Sequence, residues 1–177
     1  MEERLEFRLS GSGGQGLILA GIILAEAALL DGKNAVQSQS YGPEARGGAS
    51  RAEVVISNDS IDYPKVSEPD VLLALTSEAL NKYKDDLKAD SVLIIDSSIP
   101  KPEIKLKVIT LPIIETAKNK AGKSIVANIV ALGVLTEITK AITRESIEKA
   151  VLARVPRGTE DLNKKALHAG FELGGDF

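Results

Sequence analysis

The sequence predicts an α/β fold, a mostly parallel sheet with helices on both faces, forming a single domain of 177 residues that ends in helices. Three observations predict it. A strand-like stretch, Arg4 to Leu9, runs into the glycine turn Gly11-Ser12-Gly13-Gly14-Gln15-Gly16 and then into an apolar stretch of helical length, Leu17 to Leu30. Beyond it, short apolar runs alternate with helical stretches, and no repeat, linker or low-complexity tract interrupts them. With 44% hydrophobic and 27% charged residues, the chain has enough apolar material for a packed core and is not of disordered composition.

Arg4-Leu5-Glu6-Phe7-Arg8-Leu9 alternates polar and apolar, the period of a strand with one face buried. A central strand of a parallel sheet is apolar on both faces, so the alternation is a departure. Arg4 and Glu6 are expected in an exposed first half of the strand. Arg8, close to the glycine turn, is not explained that way.

The turn itself lets main-chain amides approach a ligand with no Cβ in the way, and a helix start behind it offers free N–H groups and positive dipole. Its G-x-G-x-x-G spacing suits a dinucleotide, but tight strand-to-helix turns need glycine for steric reasons as well. Leu17 to Leu30 carries one charge, Glu26. At ~1.5 Å per residue it reaches only about 21 Å, short of the ~30 Å hydrocarbon core, so it is not expected to span a membrane. So apolar a helix is either sandwiched within the domain or packed by its outer face on another protein, and in a small chain the partner is favoured.

Asp31-Gly32-Lys33 ends that helix with glycine in its usual place, and Asn34 to Ser38 suits a second strand. The twelve residues that close the segment read Ser40-Tyr41-Gly42-Pro43-Glu44-Ala45-Arg46-Gly47-Gly48-Ala49-Ser50-Arg51. A nicotinamide-binding unit places an acid at the end of its second strand, and here that place holds Gln37, Ser38 and Gln39. The loop is either a turn with a solvated Glu44–Arg46 pair or a device that presents Arg46 and Arg51 as forks of donors to phosphate or carboxylate. Irregular loops of about twelve residues are uncommon in compact domains unless they have a function.

Ala52 to Ser57 continues as a strand, and Asp70 to Leu75 is a short apolar one. Thr76-Ser77 can cap a helix from Glu78 to Leu87. Ser91 to Asp96 is a buried strand whose Asp96 caps the following turn, and Lys105 to Leu111 is an outer strand stopped by Pro112. A long helix from Ser124, its expected cap, to Ile142 has one polar residue between Ile125 and Leu135, namely Asn128. A buried asparagine there can hold a loop main chain through its amide and its carbonyl, one of the glycine-rich loops being a candidate. Two amphipathic helices, Arg144 to Arg154 and Thr159 to Leu173, follow, and His168 is expected as a surface or packing residue.

The composition excludes several classes. Without cysteine the chain cannot form a disulfide, a zinc–thiolate site or an iron–sulfur cluster by itself, and one histidine leaves little for a transition metal. A net charge of −3 argues against a broad nucleic-acid surface. No signal peptide precedes the first strand, so the cytoplasm is expected. No Ser-His-Asp or Cys-His set, paired carboxylates or H-E-x-x-H motif is present, so catalysis by the chain alone is not expected.

Gly11 to Gly16 as G-S-G-G-Q-G, followed by Gln37-Ser38-Gln39-Ser40-Tyr41-Gly42-Pro43-Glu44-Ala45-Arg46-Gly47-Gly48, resembles the gamma subunit of the 2-oxoacid:ferredoxin oxidoreductases. The similarity continues through Asp62-Tyr63-Pro64-Lys65 and Asn128-Ile129-Val130-Ala131-Leu132-Gly133 and so covers nearly the whole chain. Ala45-Arg46, where relatives acting on pyruvate or branched-chain oxoacids tend to carry two arginines, looks more like the 2-oxoglutarate subgroup. The resemblance implies a Rossmann-like domain docked on alpha and beta subunits and a ferredoxin-like delta subunit. It also implies thiamine diphosphate, Mg²⁺ and [4Fe-4S] clusters on those other chains. The complex would turn a 2-oxoacid and coenzyme A into acyl-CoA and carbon dioxide, with electrons passing to ferredoxin. On this reading Gly11, Gly13, Gly14, Gln15 and Gly16, the loop from Ser40 to Gly48 with Arg46, Arg51 and Asn128 form the coenzyme A side or order it, and the helix from Leu17 faces another subunit. The other readings are a free-standing NAD- or flavin-binding module and a purely structural subunit.

Overall fold

The computed structural model describes residues 4–40 and 49–177, so the expected loop residues Tyr41, Gly42, Pro43, Glu44, Arg46, Gly47 and Gly48 lie outside the described residues. Its strands are β1 (Arg4–Ser12), β2 (Asn34–Gln39), β3 (Ala49–Ser57), β4 (Val71–Ala74), β5 (Val92–Asp96) and β6 (Lys107–Leu111). Its helices are α1 (Leu17–Leu30), α2 (Ser77–Tyr83), α3 (Ile113–Lys120), α4 (Ala127–Thr139), α5 (Arg144–Arg154) and α6 (Glu160–Gly174).

The strands form one sheet in the order β2-β3-β1-β4-β5-β6. β1, β4, β5 and β6 are parallel, while β3 runs antiparallel to both β1 and β2, so five strands point one way and the expected mostly parallel sheet is present. From β1 the chain crosses through α1 to the sheet edge as β2 and returns as β3, wedged between β2 and β1; it then moves to β4 on the other side of β1. The winding therefore changes direction between β1 and β4, the place where open α/β sheets leave a crevice at their carboxyl ends.

Helices lie on both faces, but unequally. Phe7, Leu9, Val54, Ile56, Leu73, Ile94 and Ile109 are buried on the face covered by α1, α3, α4, α5 and α6. Leu72, Ala74, Leu93 and Ile95 pack on the other with Ala79, Leu80 and Tyr83 of α2. Thr76 caps α2 as its sequence predicts, accepting the Ala79 N–H at 3.2 Å.

Three expectations need adjustment. Much of α1 is covered from within the chain: Leu17, Ala20, Ile23, Leu24, Ala27 and Ala28 are buried, with the helix packed between β2–β3 and α5, while Ile18, Leu19 and Ile22 are half-buried. Only Leu29 and Leu30 at its end stay exposed, at 56% each. The cover comes from residues more than a hundred positions later. Arg154 of α5 bonds Glu26 at 2.9 Å, and Asp31 accepts the Thr143 N–H and the Thr143 and Ser146 hydroxyls at the start of α5. Burial works against the Asp31 carboxylate, but the bonds from Ser146 and Thr143 outweigh it and hold its pKa below the usual value.

Ser124, second, does not cap a long helix. It opens a 3₁₀ turn, Ser124–Val126, and α4 begins at Ala127 with no side-chain cap. Third, α3 follows Pro112 directly, where the sequence suggested only the end of a strand. Its start is set from β5: Asp96 accepts the Ser98 N–H and the Ile114 N–H, both at 2.9 Å, so it caps the turn as expected and also seats α3.

At the far end of α4 the carboxylate of Glu137, 4% exposed, takes hydrogen bonds from Arg144 and Lys140. The Arg144 bond holds its pKa down at about 2. A depressed carboxylate stabilises the fold above its unfolded pKa and ceases to as the pH falls through the folded one. Unfolding free energy is therefore expected to drop by about 2 kcal/mol between pH 4.5 and pH 2 on account of this group. In Glu137→Gln, urea titrations across that range should lose this part of the slope; an unchanged slope would show the pair to be inert.

Candidate functional site

The candidate site lies at the carboxyl ends of β1 and β4. β1 runs on through the first residues of the glycine turn, with Gly11 opposite Ser50 and Ser12 opposite Ala49, so the turn and the start of β3 are neighbours. Gln39, at the end of β2, faces Ala52, which brings Ser40 out at the same edge. Two small-residue segments distant in sequence thus meet at one end of the sheet.

The glycines have different reasons. A Cβ on Gly11 would stand 2.2 Å from Gln15 Oε1, and one on Gly16, at φ 72°, would stand 2.5 Å from Asn128 Nδ2. These two make room for side-chain amides. Gly13 and Gly14 are exposed, and a Cβ on Gly14, at φ 86°, would meet nothing within 4 Å. The amides that fill the space brace the turn. Gln15 Oε1 accepts the Ser12 N–H at 2.7 Å, and Asn128 Nδ2 donates to the Gly16 carbonyl at 3.0 Å. Asn128 holds the glycine turn as the sequence suggests, but with its amide only; its Oδ1 accepts the Ile129 N–H of its own helix at 3.0 Å.

α1 starts from Gly16 with no side-chain cap, so its first N–H groups are not taken by a capping residue. Beside it lies a pocket of about 340 Å³ lined by Gly14, Gln15, Ile114, Ser124, Ile125 and Ala127. None of the six is charged, and Ile125 is 72% exposed at its rim.

Arg51 stands elsewhere. It pairs with Ser10 in register and points to the α2 face, its guanidinium 5.6 Å from the centre of the Tyr83 ring and 3.8 Å from Glu53. Asn128 comes from the opposite face of the sheet. The hydroxyls of Ser40 and Tyr83 are buried without a hydrogen-bond partner among the described residues.

Sequence reasoning left Arg8 unexplained, and the structure accounts for it. Buried at 2% exposure, it donates to Glu53 at 2.8 Å, to the Val66 carbonyl at 2.9 Å and to Asp86. The cluster ties β1, β3, the loop before β4 and the turn after α2 under the Tyr83 ring. The signal was an arginine that keeps up the polar alternation into the half of a central strand next to the glycine turn, where exposure does not explain it.

A nicotinamide unit would need an acid beside the end of β1. Here β2 is two strands away and the place next to β1 is taken by Ser50 and Arg51, arriving on the antiparallel β3. Among the described residues no group of three His, Cys, Asp or Glu side chains could share a metal ion. His168 is half-exposed on α6, against Phe171 and 2.6 Å from Glu148, as a packing residue would be. None of the described helices is long and apolar enough to cross a membrane.

Comparison with known proteins agrees with this geometry. Residues 6–173 match the family model described as pyruvate ferredoxin/flavodoxin oxidoreductase. The 2-oxoglutarate synthase subunit KorC of Methanocaldococcus jannaschii is 51% identical over 96% of this chain and 94% of its own length. The pyruvate synthase subunit PorC of the same organism is 28% identical over 94% of this chain and 95% of its own length. The crystal structure of the keto/oxoacid ferredoxin oxidoreductase gamma subunit from Geobacter sulfurreducens superposes with a TM-score of 0.89 at 52% identity, covering 98% of this chain and 97% of that one. With strand order, glycine turn and sequence all in agreement, the chain belongs to the pyruvate ferredoxin/flavodoxin oxidoreductase family, as a chain of its gamma-subunit type.

Proposed function

We propose that the chain serves a 2-oxoglutarate:ferredoxin oxidoreductase as its gamma subunit and forms part of the coenzyme A side of the assembled site. The observation that carries the substrate class is the contrast within one organism, 51% identity to its 2-oxoglutarate synthase subunit against 28% to its pyruvate synthase subunit. The meeting of the glycine turn with the start of β3 at the switch between β1 and β4 supports the second half of the reading. The complex would convert 2-oxoglutarate and coenzyme A to succinyl-CoA and carbon dioxide, two electrons leaving to ferredoxin.

Thiamine diphosphate, Mg²⁺ and iron–sulfur clusters would sit on the alpha, beta and delta chains. This chain, with no cysteine and no metal-sharing group among its described residues, does not fit them and takes no step through them. Its own task is to receive and orient. Arg46 would supply a cationic fork toward phosphate or toward a carboxylate of a neighbouring chain, whereas Arg51 is held on the α2 face against Tyr83 and Glu53.

In the assembled complex, Arg46→Ala is expected to raise the KM for coenzyme A by about tenfold and that for 2-oxoglutarate by less than about twofold, as loss of a charge-assisted contact to one substrate only. Initial rates at varied concentrations of each substrate measure both. Equal rises would make Arg46 an assembly residue and overturn its placement on the coenzyme A side.

A further inference from the structure

The brace inside the glycine turn bears on which part of a ligand the turn can hold. In a phosphate cradle the main-chain amides of the turn face the ligand oxygens. Here Gln15 folds back so that its Oε1 takes the Ser12 N–H at 2.7 Å, and Gly11 lacks a Cβ so that it can do so. Because the partner is an N–H donor, the oxygen of the amide must be the atom that faces it. The atom left is Nε2, a two-proton donor that makes no hydrogen bond among the described residues, on a side chain that lines the 340 Å³ pocket.

The rest of that pocket is uncharged. Ile114, Ile125 and Ala127 form apolar walls and Ser124 adds a hydroxyl, and among the described residues no lysine or arginine lines it. Burying a phosphate against such walls carries a desolvation cost, whereas an aliphatic chain carrying an amide carbonyl loses little and gains the Nε2 donor. Arg51, the described arginine nearest this end of the sheet, is on the opposite face, against Tyr83.

We propose that the Gln15 carboxamide recognises an amide carbonyl of the ligand, so that the pocket between the glycine turn and the 3₁₀ turn at Ser124–Val126 takes the uncharged pantetheine arm of coenzyme A and not its phosphates. This rests on the reading of the glycine-turn end as the coenzyme A side. Gln15 acts as a specificity-determining residue: one oxygen keeps the turn in shape and one nitrogen reads the ligand. A glutamate at the same position keeps an acceptor for the Ser12 N–H but removes the donor and adds a charge.

The test uses the assembled complex carrying Gln15→Glu, with two competitors of coenzyme A as probes: pantetheine methylated on its thiol, which cannot accept the acyl group, and 3′,5′-ADP, which carries phosphates and no amide chain. The variant is expected to raise the KM for coenzyme A by about tenfold and to weaken inhibition by S-methylpantetheine to a similar degree, with 3′,5′-ADP inhibition and the KM for 2-oxoglutarate unchanged. Weakened 3′,5′-ADP inhibition with S-methylpantetheine unaffected would overturn the proposal and return the turn to phosphate. An unchanged KM for coenzyme A would overturn it as well. In that case Arg46→Ala separates the two failures: if it still raises that KM, the coenzyme A side stands without Gln15, and if it does not, the functional reading falls too.

Discussion

Replacing Gly170 by alanine is expected to destabilise the fold by about 3 kcal/mol, although by helix propensity alone the change should stabilise it by about 1 kcal/mol. The opposite signs make the measurement decisive. α4 and α6 cross with their backbones in contact: a Cβ on Gly170 would stand 2.2 Å from the Val130 carbonyl oxygen, and one on Gly133 would stand 2.4 Å from the Leu167 carbonyl oxygen. Each glycine also faces the other's Cα, at 2.8 Å from the would-be Cβ. The obstacle is main chain on both sides and cannot turn aside as a side-chain tip would, so an added methyl must push the buried helices away from each other. Ala166, Leu167 and Phe171 on α6 and Val130, Val134 and Leu135 on α4 would loosen together. The midpoint of urea unfolding should fall for both Gly170→Ala and Gly133→Ala. A midpoint at or above that of the unmodified chain would refute the close crossing.

Substituting Arg8 is expected to cost as much or more. Arg8→Met keeps the length and apolar stem of the side chain but leaves Glu53, 8% exposed, without its 2.8 Å partner and frees the Val66 carbonyl and Asp86. Removing one member of a buried ion pair typically costs about 3–5 kcal/mol, because the remaining charge is stranded away from water. The loss has a signature. The double variant Arg8→Met/Glu53→Gln removes the stranded charge and is expected to recover at least about 1 kcal/mol relative to Arg8→Met alone. Equal stability of the single and double variants would mean that Glu53 finds solvent or Arg51 instead, and that the cluster contributes packing only. Arg51 is the natural rescuer to examine, at 3.8 Å from the same carboxylate.

These two sites also mark how far sequence reasoning reached. α1 is predicted from Leu17 to Leu30 and observed there, because a glycine turn, an uninterrupted apolar run and a terminal Gly32 are local signals. α5 is likewise found at Arg144–Arg154, as its amphipathic pattern indicates, with Thr143 as the cap that the structure adds. The turn after Asp96 and the cap on α2 are legible for the same reason: a short polar side chain bonds its own backbone within a few residues. α3 escaped, being eight residues whose start is seated by Asp96, eighteen positions earlier.

For the site, the sequence named Gly16 and Asn128 separately, and the bond between them joins residues 112 positions apart. It also named Arg51 and Asn128 together as parts of one lining. Strand pleat separates them, sending Arg51 to the α2 face while Asn128 arrives from the face of α4. How much of α1 is covered within the chain depends on whether another segment arrives, and α5 covers part of it.

What the sequence determined by itself is the local grammar: where strands and helices begin, that a glycine turn joins β1 to α1, and which family the motifs resemble. Those follow from backbone sterics and from the period of apolar residues, which act over a few positions. Only the tertiary structure decided that β3 wedges between β1 and β2, that Asn128 braces the glycine turn from α4, that Arg8 is enclosed by Glu53, Val66 and Asp86, and that Gly170 meets the backbone of α4. Such contacts join segments tens of residues or more apart in sequence. Their strength comes from excluding water and from backbones touching, and neither exists until the chain has folded.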